Sequence, residues 1–241
     1  MIHLAETLAI GSIEDFLTPA EATALRDIMD AFLADQRPAG FGTRRTTSIH
    51  EIPGHTAVQA MAVYEPAGRI EITGIPGAAE QILSDAFARA LPAINRGMPS
   101  ISRCRPWTYV EYGPGQHITP HLDGIAPDPL SWPRQIAGIS IVITEAAAGG
   151  GFFVETTSDQ QLWERSCEQD GYSPGMHLAR DGADQSADWF QAMTRTRWQV
   201  TAAAGTALLY GSQLTHGTEP VREGRARKFI SWLTAQAPQG A

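Results

Sequence analysis

The segment 105-RPWTYVEYGPGQHITPHLDG-124 decides the fold, because it combines two β-strand patterns, a turn and a His-x-Asp motif. Aromatic and β-branched residues from Trp107 to Tyr112 predict the first strand, and Gly113-Pro114-Gly115 predicts the turn after it. A second extended run leads into the motif. Alternate residues of a strand share a face, so we expect His121 and Asp123 to point to the same place. An imidazole and a carboxylate on one face predict a pair of metal ligands.

A third candidate ligand, His216, lies 93 residues after Asp123, between a predicted strand that ends at Gly211 and a turn at Gly217. That length of chain is enough for the strands of a sheet to return beside the first pair. Two imidazoles and one carboxylate on one face of a metal form the facial triad of non-haem iron(II) oxygenases. The three residues together therefore predict an iron centre.

The residues around this motif predict a mainly β fold with flanking helices. Thr18 and Glu21 form a capping-box pattern that begins one amphipathic helix, and the spacing of apolar residues predicts a second helix over Ala78–Asn95. From residue 101 the patterns are those of strands, and 136-IAGISIVIT-144 is apolar enough to be buried on both faces. We predict a double-stranded β-helix (a cupin-like jelly roll) with the N-terminal helices packed on one sheet.

The sequence shows no domain boundary, so we predict a single oxygenase-type domain over residues 1–241. Residues 1–100 form its helical support, and residues 101–235 form the jelly-roll core. The polar, acidic segment 158–195 interrupts the strand pattern and is predicted to be a lid-like insertion. A short strand is predicted over Thr46–Ile52. The nearby histidines, including His50, lack a partner at a fixed spacing and are interpreted as ordinary loop or strand residues.

Composition excludes several classes of function. The net charge of −8 argues against nucleic-acid binding, which requires clustered positive charge. No apolar stretch is long enough to predict a membrane span or a signal peptide. The two cysteines, Cys104 and Cys167, give neither a disulfide framework nor a zinc-binding spacing. These observations predict a cytoplasmic protein whose partner is a small-molecule substrate.

The stretch 216-HGTEPVREGRARKFISWL-233 resembles the distal half of the 2-oxoglutarate/Fe(II)-dependent dioxygenases, especially the branch similar to prolyl 4-hydroxylases. Three further stretches resemble motifs of that family in the same order along the chain. They are YGPGQHITPHLD at 112–123, GGGFFVET at 149–156 and GTALLYGS at 205–212. The resemblance covers about residues 101–235.

The resemblance implies that His121, Asp123 and His216 bind Fe(II). It also implies a basic residue on the last strand that binds the distal carboxylate of 2-oxoglutarate. The position with the family's usual spacing holds Ala226, which lies between two arginines. We favour Arg227, because it lies within the predicted strand, and keep Arg225 as the alternative.

Further roles implied by the resemblance are assigned to residues of the central segment. Tyr112 matches a tyrosine that hydrogen-bonds 2-oxoglutarate. Gln116, Trp107 and Arg105 are candidates for substrate binding, because they lie on strands that enter the predicted site. The family's chemistry, with 2-oxoglutarate and O2 as co-substrates, implies hydroxylation of an unactivated C–H bond or a related desaturation or cyclisation. The expected substrate is a free small molecule such as an amino acid or a derivative.

Two other interpretations remain open from the sequence. A cupin-like metal enzyme that does not use 2-oxoglutarate would have the same three ligands but would need no basic residue after His216. A jelly-roll module that only binds a small molecule would need neither the metal nor the basic residue. Iron-dependent formation of succinate distinguishes all three.

Overall fold

The computed structural model describes residues 4–36, 47–123, 132–165 and 177–236. The helices are two short 3-10 helices (Leu4–Leu8 and Gln160–Leu162), α1 (Pro19–Gln36), α2 (Ala57–Tyr64), α3 (Gly77–Gly97) and α4 (Asp188–Ala192). The strands of the N-terminal half are β1 (Ile10–Ile13), β2 (Ile70–Ile72), β3 (Ile101–Cys104), β4 (Thr108–Tyr112) and β5 (Ile118–His121). The remaining strands are β6 (Arg134–Thr144), β7 (Ala148–Gly149), β8 (Phe152–Thr156), β9 (Trp163–Arg165), β10 (His177–Ala179), β11 (Thr196–Val200), β12 (Ala207–Gly211), β13 (Thr215–Thr218), β14 (Val221–Glu223) and β15 (Ala226–Ala235).

Two antiparallel sheets form the body of the described residues. The larger sheet has seven strands in the order β1-β12-β6-β15-β4-β2, with β3 paired to β15, and the smaller has the order β11-β8-β13-β5. Phe152 and Val154 of the smaller sheet pack against Leu208 and Tyr210 of the larger one, so the two sheets face each other. The mainly β jelly roll that the sequence predicts is confirmed.

Helices α1 and α3 cover the outer face of the larger sheet, as predicted. Leu25 and Met29 of α1 and Leu83 of α3 are fully buried in one apolar cluster with β6 residues such as Ile139. The predicted capping box is present, because the Glu21 amide donates to Thr18 Oγ1 (3.2 Å) and the Thr18 amide donates to Glu21 Oε2 (2.8 Å). Neither of these helices, nor any other in the described residues, is both long and apolar enough to cross a membrane.

The segment before β2 differs from the prediction. Residues 47–52 form no strand, and the first residue of the predicted strand, Thr46, lies outside the described residues. The Ile49 amide donates instead to the side chain of Glu71 (3.1 Å), so a side chain replaces a strand partner. Helix α2, which was not predicted from the sequence, begins with a capping box formed by Thr56 and Gln59.

The described part of the predicted insertion has its own small apolar core. Leu162, Ala183, Phe190 and Met193 are buried together, and β9 pairs with β10. Arg195 joins this part to the smaller sheet through Glu155, with 2.6 Å between Arg195 Nε and Glu155 Oε2. The insertion is therefore packed against the jelly roll through specific contacts.

Candidate metal centre

Two histidines lie directly opposite each other on neighbouring strands of the smaller sheet. His121 ends β5, and its Cα partner across the ladder is His216 of β13. The Nδ1 atom of each ring lies beside a backbone carbonyl, that of Thr119 for His121 (2.7 Å) and that of Leu214 for His216 (2.9 Å). A carbonyl only accepts, so Nδ1 carries the proton and Nε2 is left as the ligand atom.

Asp123 completes the cluster from the end of β5. Its Oδ1 lies 3.8 Å from His121 Nε2 and 3.7 Å from His216 Nε2. Among the described residues, His121 Nε2 and Asp123 Oδ2 are buried without a hydrogen-bond partner. Burial lowers the pKa of His121 well below its ordinary value and raises the pKa of Asp123. Two imidazoles that present Nε2 beside a buried carboxylate form the donor set of a divalent metal, so these residues fit Fe(II).

A glycine next to His216 allows the two ligand-bearing strands to approach closely. A Cβ atom at Gly217 would lie 2.7 Å from the carbonyl oxygen of Ile118 on β5, and it would collide with the ring of Phe153 on β8. Any other residue would therefore separate β13 from its neighbours at the point where His216 faces His121.

A narrow cavity of about 40 Å³ extends from the three ligands between the sheets. The same cavity is lined by Lys228, whose side chain is buried and whose Nζ donates to Thr218 Oγ1 (3.3 Å). No carboxylate among the described residues forms an ion pair with this ammonium group. Burial, together with the charge of Arg69, lowers the pKa of Lys228 to about 8. A buried cation without a counter-ion is costly, and an anionic ligand would compensate it.

A second buried cation, Arg69, lies beside the same cavity, but its charge is paired. Its Nη2 lies 2.5 Å from Glu71 Oε2, and its Nε lies 3.4 Å from Glu65 Oε2. Its Nη1 donates to the hydroxyl oxygen of Tyr112 (2.7 Å). Since this oxygen accepts from Arg69, the hydroxyl hydrogen of Tyr112 is left to donate to a ligand in the cavity. The sequence analysis did not identify Arg69 or Lys228 as site residues.

Comparison with protein-family models and with curated proteins yields no match, whereas comparison with solved structures yields many. A Pseudomonas putida prolyl-4-hydroxylase superposes with a TM-score of 0.53 at 15% identity, over 95% of this chain and 94% of that one. The non-heme alpha ketoglutarate dependent carbocyclase SnoK from nogalamycin biosynthesis gives 0.57 at 14%, over 96% and 81%. The chain has the fold of the 2-oxoglutarate/Fe(II) oxygenases. AviO1 from Streptomyces viridochromogenes Tue57 shares it, with a TM-score of 0.56 at 16% identity over 96% and 92% of the two chains.

Within this oxygenase fold, Arg227 and Arg225 lie outside the cavity. Arg227 Nη2 pairs with Asp30 on α1 (2.9 Å) and its Nε lies 3.4 Å from Glu111 Oε2. Arg225 Nη1 pairs with Glu111 (2.8 Å), and its side chain is 54% exposed. Arg225 precedes β15, Arg227 lies on the face of β15 that is opposite to Ala226, and Lys228 shares the face of Ala226. This alternation is the signal in the sequence that would have indicated Lys228.

The three residues named as candidates for substrate binding occupy different environments. Trp107 is fully buried in the core beneath the helices. Gln116 closes the turn after β4, because its Oε1 accepts from the Gly113 amide (2.8 Å). Only Arg105 of the three lines the groove of about 1040 Å³ that adjoins the metal centre. This groove shares its inner wall with the narrow cavity at His50, Asp123 and Trp232.

The insertion contacts the metal motif directly. Leu122, between the two ligands, packs against the insertion's apolar core, and its amide donates to the carbonyl of Ala183 (3.2 Å). The next residue, Asp184, is buried and accepts a hydrogen bond from the Tyr64 hydroxyl (2.8 Å). Tyr64 in turn lies edge-on to His121, with 5.1 Å between the ring centroids.

We expect Tyr64→Phe to lower the free energy of unfolding by about 1–3 kcal/mol, because it leaves a buried carboxylate oxygen of Asp184 without its partner. Urea denaturation followed by circular dichroism measures the change. Asp184→Asn, which keeps an acceptor for the hydroxyl, should have a smaller effect. Equal stability of Tyr64→Phe and the parent protein would show that this bond does not hold the insertion in place.

Proposed function

We propose that this protein is a non-haem Fe(II)- and 2-oxoglutarate-dependent oxygenase that hydroxylates an unactivated C–H bond of a small molecule. One observation carries the proposal: His121, Asp123 and His216 converge in a buried cavity that is also lined by an ammonium group without a counter-ion among the described residues. With iron bound, 2-oxoglutarate and O2 supply the oxidation, in which one oxygen atom enters succinate, the other enters the substrate, and CO2 is released.

In this proposal, Lys228 takes the role that the sequence analysis gave to Arg227 or Arg225. Its ammonium group would pair with the distal carboxylate of 2-oxoglutarate, and the hydroxyl groups of Thr218 and Tyr112 would complete the contact. Arg69 fixes the direction in which Tyr112 donates. The buried position of Lys228 supports this assignment, because removal of water strengthens the attraction between the two charges.

The groove beside the metal centre supports a small-molecule substrate. It opens onto Asp123, and Arg105 and Gln135 place polar groups along its wall, next to the indole of Trp232. We propose that the cation of Arg105 pairs with a carboxylate on the substrate, which is consistent with an amino acid or a derivative. A freely diffusing substrate of this kind also agrees with the cytoplasmic location that the sequence predicts.

The proposed function predicts that the Fe(II)-loaded protein releases succinate from 2-oxoglutarate, and that a substrate increases this release. A panel of amino acids and amines should be screened for succinate, with mass spectrometry to detect a product heavier by one oxygen atom. Omission of iron should abolish both signals. A product formed at full rate without consumption of 2-oxoglutarate would favour the cupin-like alternative.

The affinity for 2-oxoglutarate should fall as the pH rises above about 8, because the pKa of Lys228 is lowered to about 8 and only its protonated form pairs with a carboxylate. The decrease should approach tenfold per pH unit above that value. Calorimetric titration of the Mn(II)-loaded protein between pH 7 and pH 9 measures it. Lys228→Met is the matched control, and its weaker binding should not change over this range. A flat profile for the parent protein would contradict the role of Lys228.

A further inference from the structure

A third imidazole lies at the metal centre, and the facial triad does not account for it. One ligand atom each from His50, His121 and Asp123 lie within 4.8 Å of one another. The ring centroids of His50 and His121 are 4.8 Å apart. A metal ion about 2.1 Å from each ligand atom needs those atoms within roughly 4.2 Å of one another. His50 must therefore move toward the other two ligand atoms before it can coordinate the same ion.

His50 is held in this position by contacts with Tyr64 and Ser48. Its ring stacks on that of Tyr64 at a centroid distance of 4.7 Å, and the hydroxyl of Tyr64 is fixed by Asp184. The His50 amide donates to Ser48 Oγ (3.1 Å). His50 also lines both the narrow cavity and the substrate groove, so it lies between the two. A stacked ring on a segment without regular secondary structure can move by a small distance without breaking a strand ladder.

A continuous series of contacts links the backbone at His50 to the proposed carboxylate site. The amide of Ile49 donates to Glu71 Oε1 (3.1 Å), and Glu71 Oε2 pairs with Arg69 (2.5 Å). Arg69 donates to the hydroxyl of Tyr112 (2.7 Å), which the proposed function places against 2-oxoglutarate. An anion bound at Tyr112 therefore lies at one end of a hydrogen-bonded chain whose other end adjoins His50.

We propose that His50 is a fourth ligand of the metal, which binds in the absence of 2-oxoglutarate and is displaced when 2-oxoglutarate binds. The inference rests on the proposed function. The facial triad leaves open the positions that 2-oxoglutarate and O2 require. Coordination by His50 occupies one of these positions, so His50 must leave before the full set of ligands is present. The resting centre then has four protein ligands, and binding of both oxygens of the 2-oxoglutarate chelate together with O2 requires that His50 leave.

The test uses Co²⁺ as the probe, because its visible absorption reports the coordination of the ion. Without 2-oxoglutarate, His50→Ala should bind Co²⁺ on the order of 10- to 100-fold more weakly than the parent protein and give a different spectrum. With saturating 2-oxoglutarate, the affinities of the two proteins for Co²⁺ should converge. By the same linkage, Co²⁺-loaded His50→Ala should bind 2-oxoglutarate more tightly than the loaded parent, because no ligand has to be displaced.

His50→Gln, which keeps most of the side-chain volume, should reproduce the behaviour of His50→Ala and guards against a packing defect. His177→Ala removes an exposed imidazole from β10 and should behave as the parent protein. Unchanged Co²⁺ affinity and spectrum in both His50 variants would overturn the inference, as would an equal loss of affinity with and without 2-oxoglutarate. A parent protein that binds no Co²⁺ would overturn the proposed function itself, whereas normal binding by the parent with unaffected variants overturns only the role of His50.

Discussion

His216→Ala should reduce the affinity for Fe(II) by about 100-fold or more, and the purified variant should lose the metal on dialysis. Substitution of groups that only orient a metal ligand costs about 10- to 100-fold in metal affinity, so removal of a ligand should cost at least as much. The loss has two causes here, because the substitution also leaves Asp123 buried beside one imidazole instead of two. Iron content per chain, measured by elemental analysis after anaerobic loading and dialysis, provides the test.

His177→Ala is the matched control for this experiment, because it removes an exposed imidazole of β10 that is not one of the proposed ligands. Its iron content should equal that of the parent protein. His216→Ala should retain its fold, since the substitution removes side-chain atoms and leaves the ladder between β13 and β5 intact. A folded His216→Ala variant with one iron per chain would contradict the assignment of the three ligands.

The second large effect is expected at the carboxylate end of the cavity. Lys228→Met should raise the concentration of 2-oxoglutarate required for half-maximal activity by on the order of 100-fold or more. A buried carboxylate without its partner costs several kcal/mol, and about 1.4 kcal/mol corresponds to a tenfold change. Iron binding should be unchanged, because Lys228 is not one of the three proposed metal ligands. Titration of succinate release against 2-oxoglutarate concentration, with iron content measured in parallel, separates the two effects.

Arg227→Ala is the control on the same strand. Its guanidinium group pairs with Asp30 and Glu111 on the outer face of the sheet, so its removal should leave the 2-oxoglutarate requirement within about twofold of the parent value. A large effect of Arg227→Ala with a small effect of Lys228→Met would return the carboxylate contact to the residue that the sequence analysis favoured.

Lys228→Met should also stabilise the protein without its ligands at neutral pH. The pKa of Lys228 is lowered in the folded protein to about 8 from the ordinary value of 10.5. The unfolded chain therefore binds this proton more readily, and stability falls as the pH decreases from about 10.5 to about 8. The full cost is present below pH 8, and methionine removes it. A lower midpoint of thermal unfolding for the variant at pH 7 would contradict this expectation.

The sequence predicted those features that depend on residues close to one another in the chain. The His121-x-Asp123 pair follows from the two-residue period of a strand, and the apolar run 136–144 indicates a central strand. The capping box at Thr18 locates the start of α1. His216 required a comparison of motifs far apart in the chain, and the fold then placed it opposite His121.

Other features depend on packing between distant segments and have no local signal. Lys228 and Arg227 are adjacent basic residues on opposite faces of β15. A shift of one residue in the predicted strand therefore exchanges which of the two faces the cavity. His50 lies in a segment without regular structure, and its proximity to the metal centre comes from its contacts with Tyr64 and His121. Arg69 can be buried beside the cavity because Glu65 and Glu71 compensate its charge.

The position of Leu122 between the two ligands bears on how enzymes of this kind diverge. One residue of the metal motif contacts the insertion's core, while its neighbours on both sides face the metal centre. The outer surface of the insertion can therefore accumulate substitutions or be exchanged for another segment, provided that an apolar contact for Leu122 and a carbonyl like that of Ala183 are retained. Replacement of that outer surface, with those two contacts preserved, should leave the positions of His121 and Asp123 unchanged.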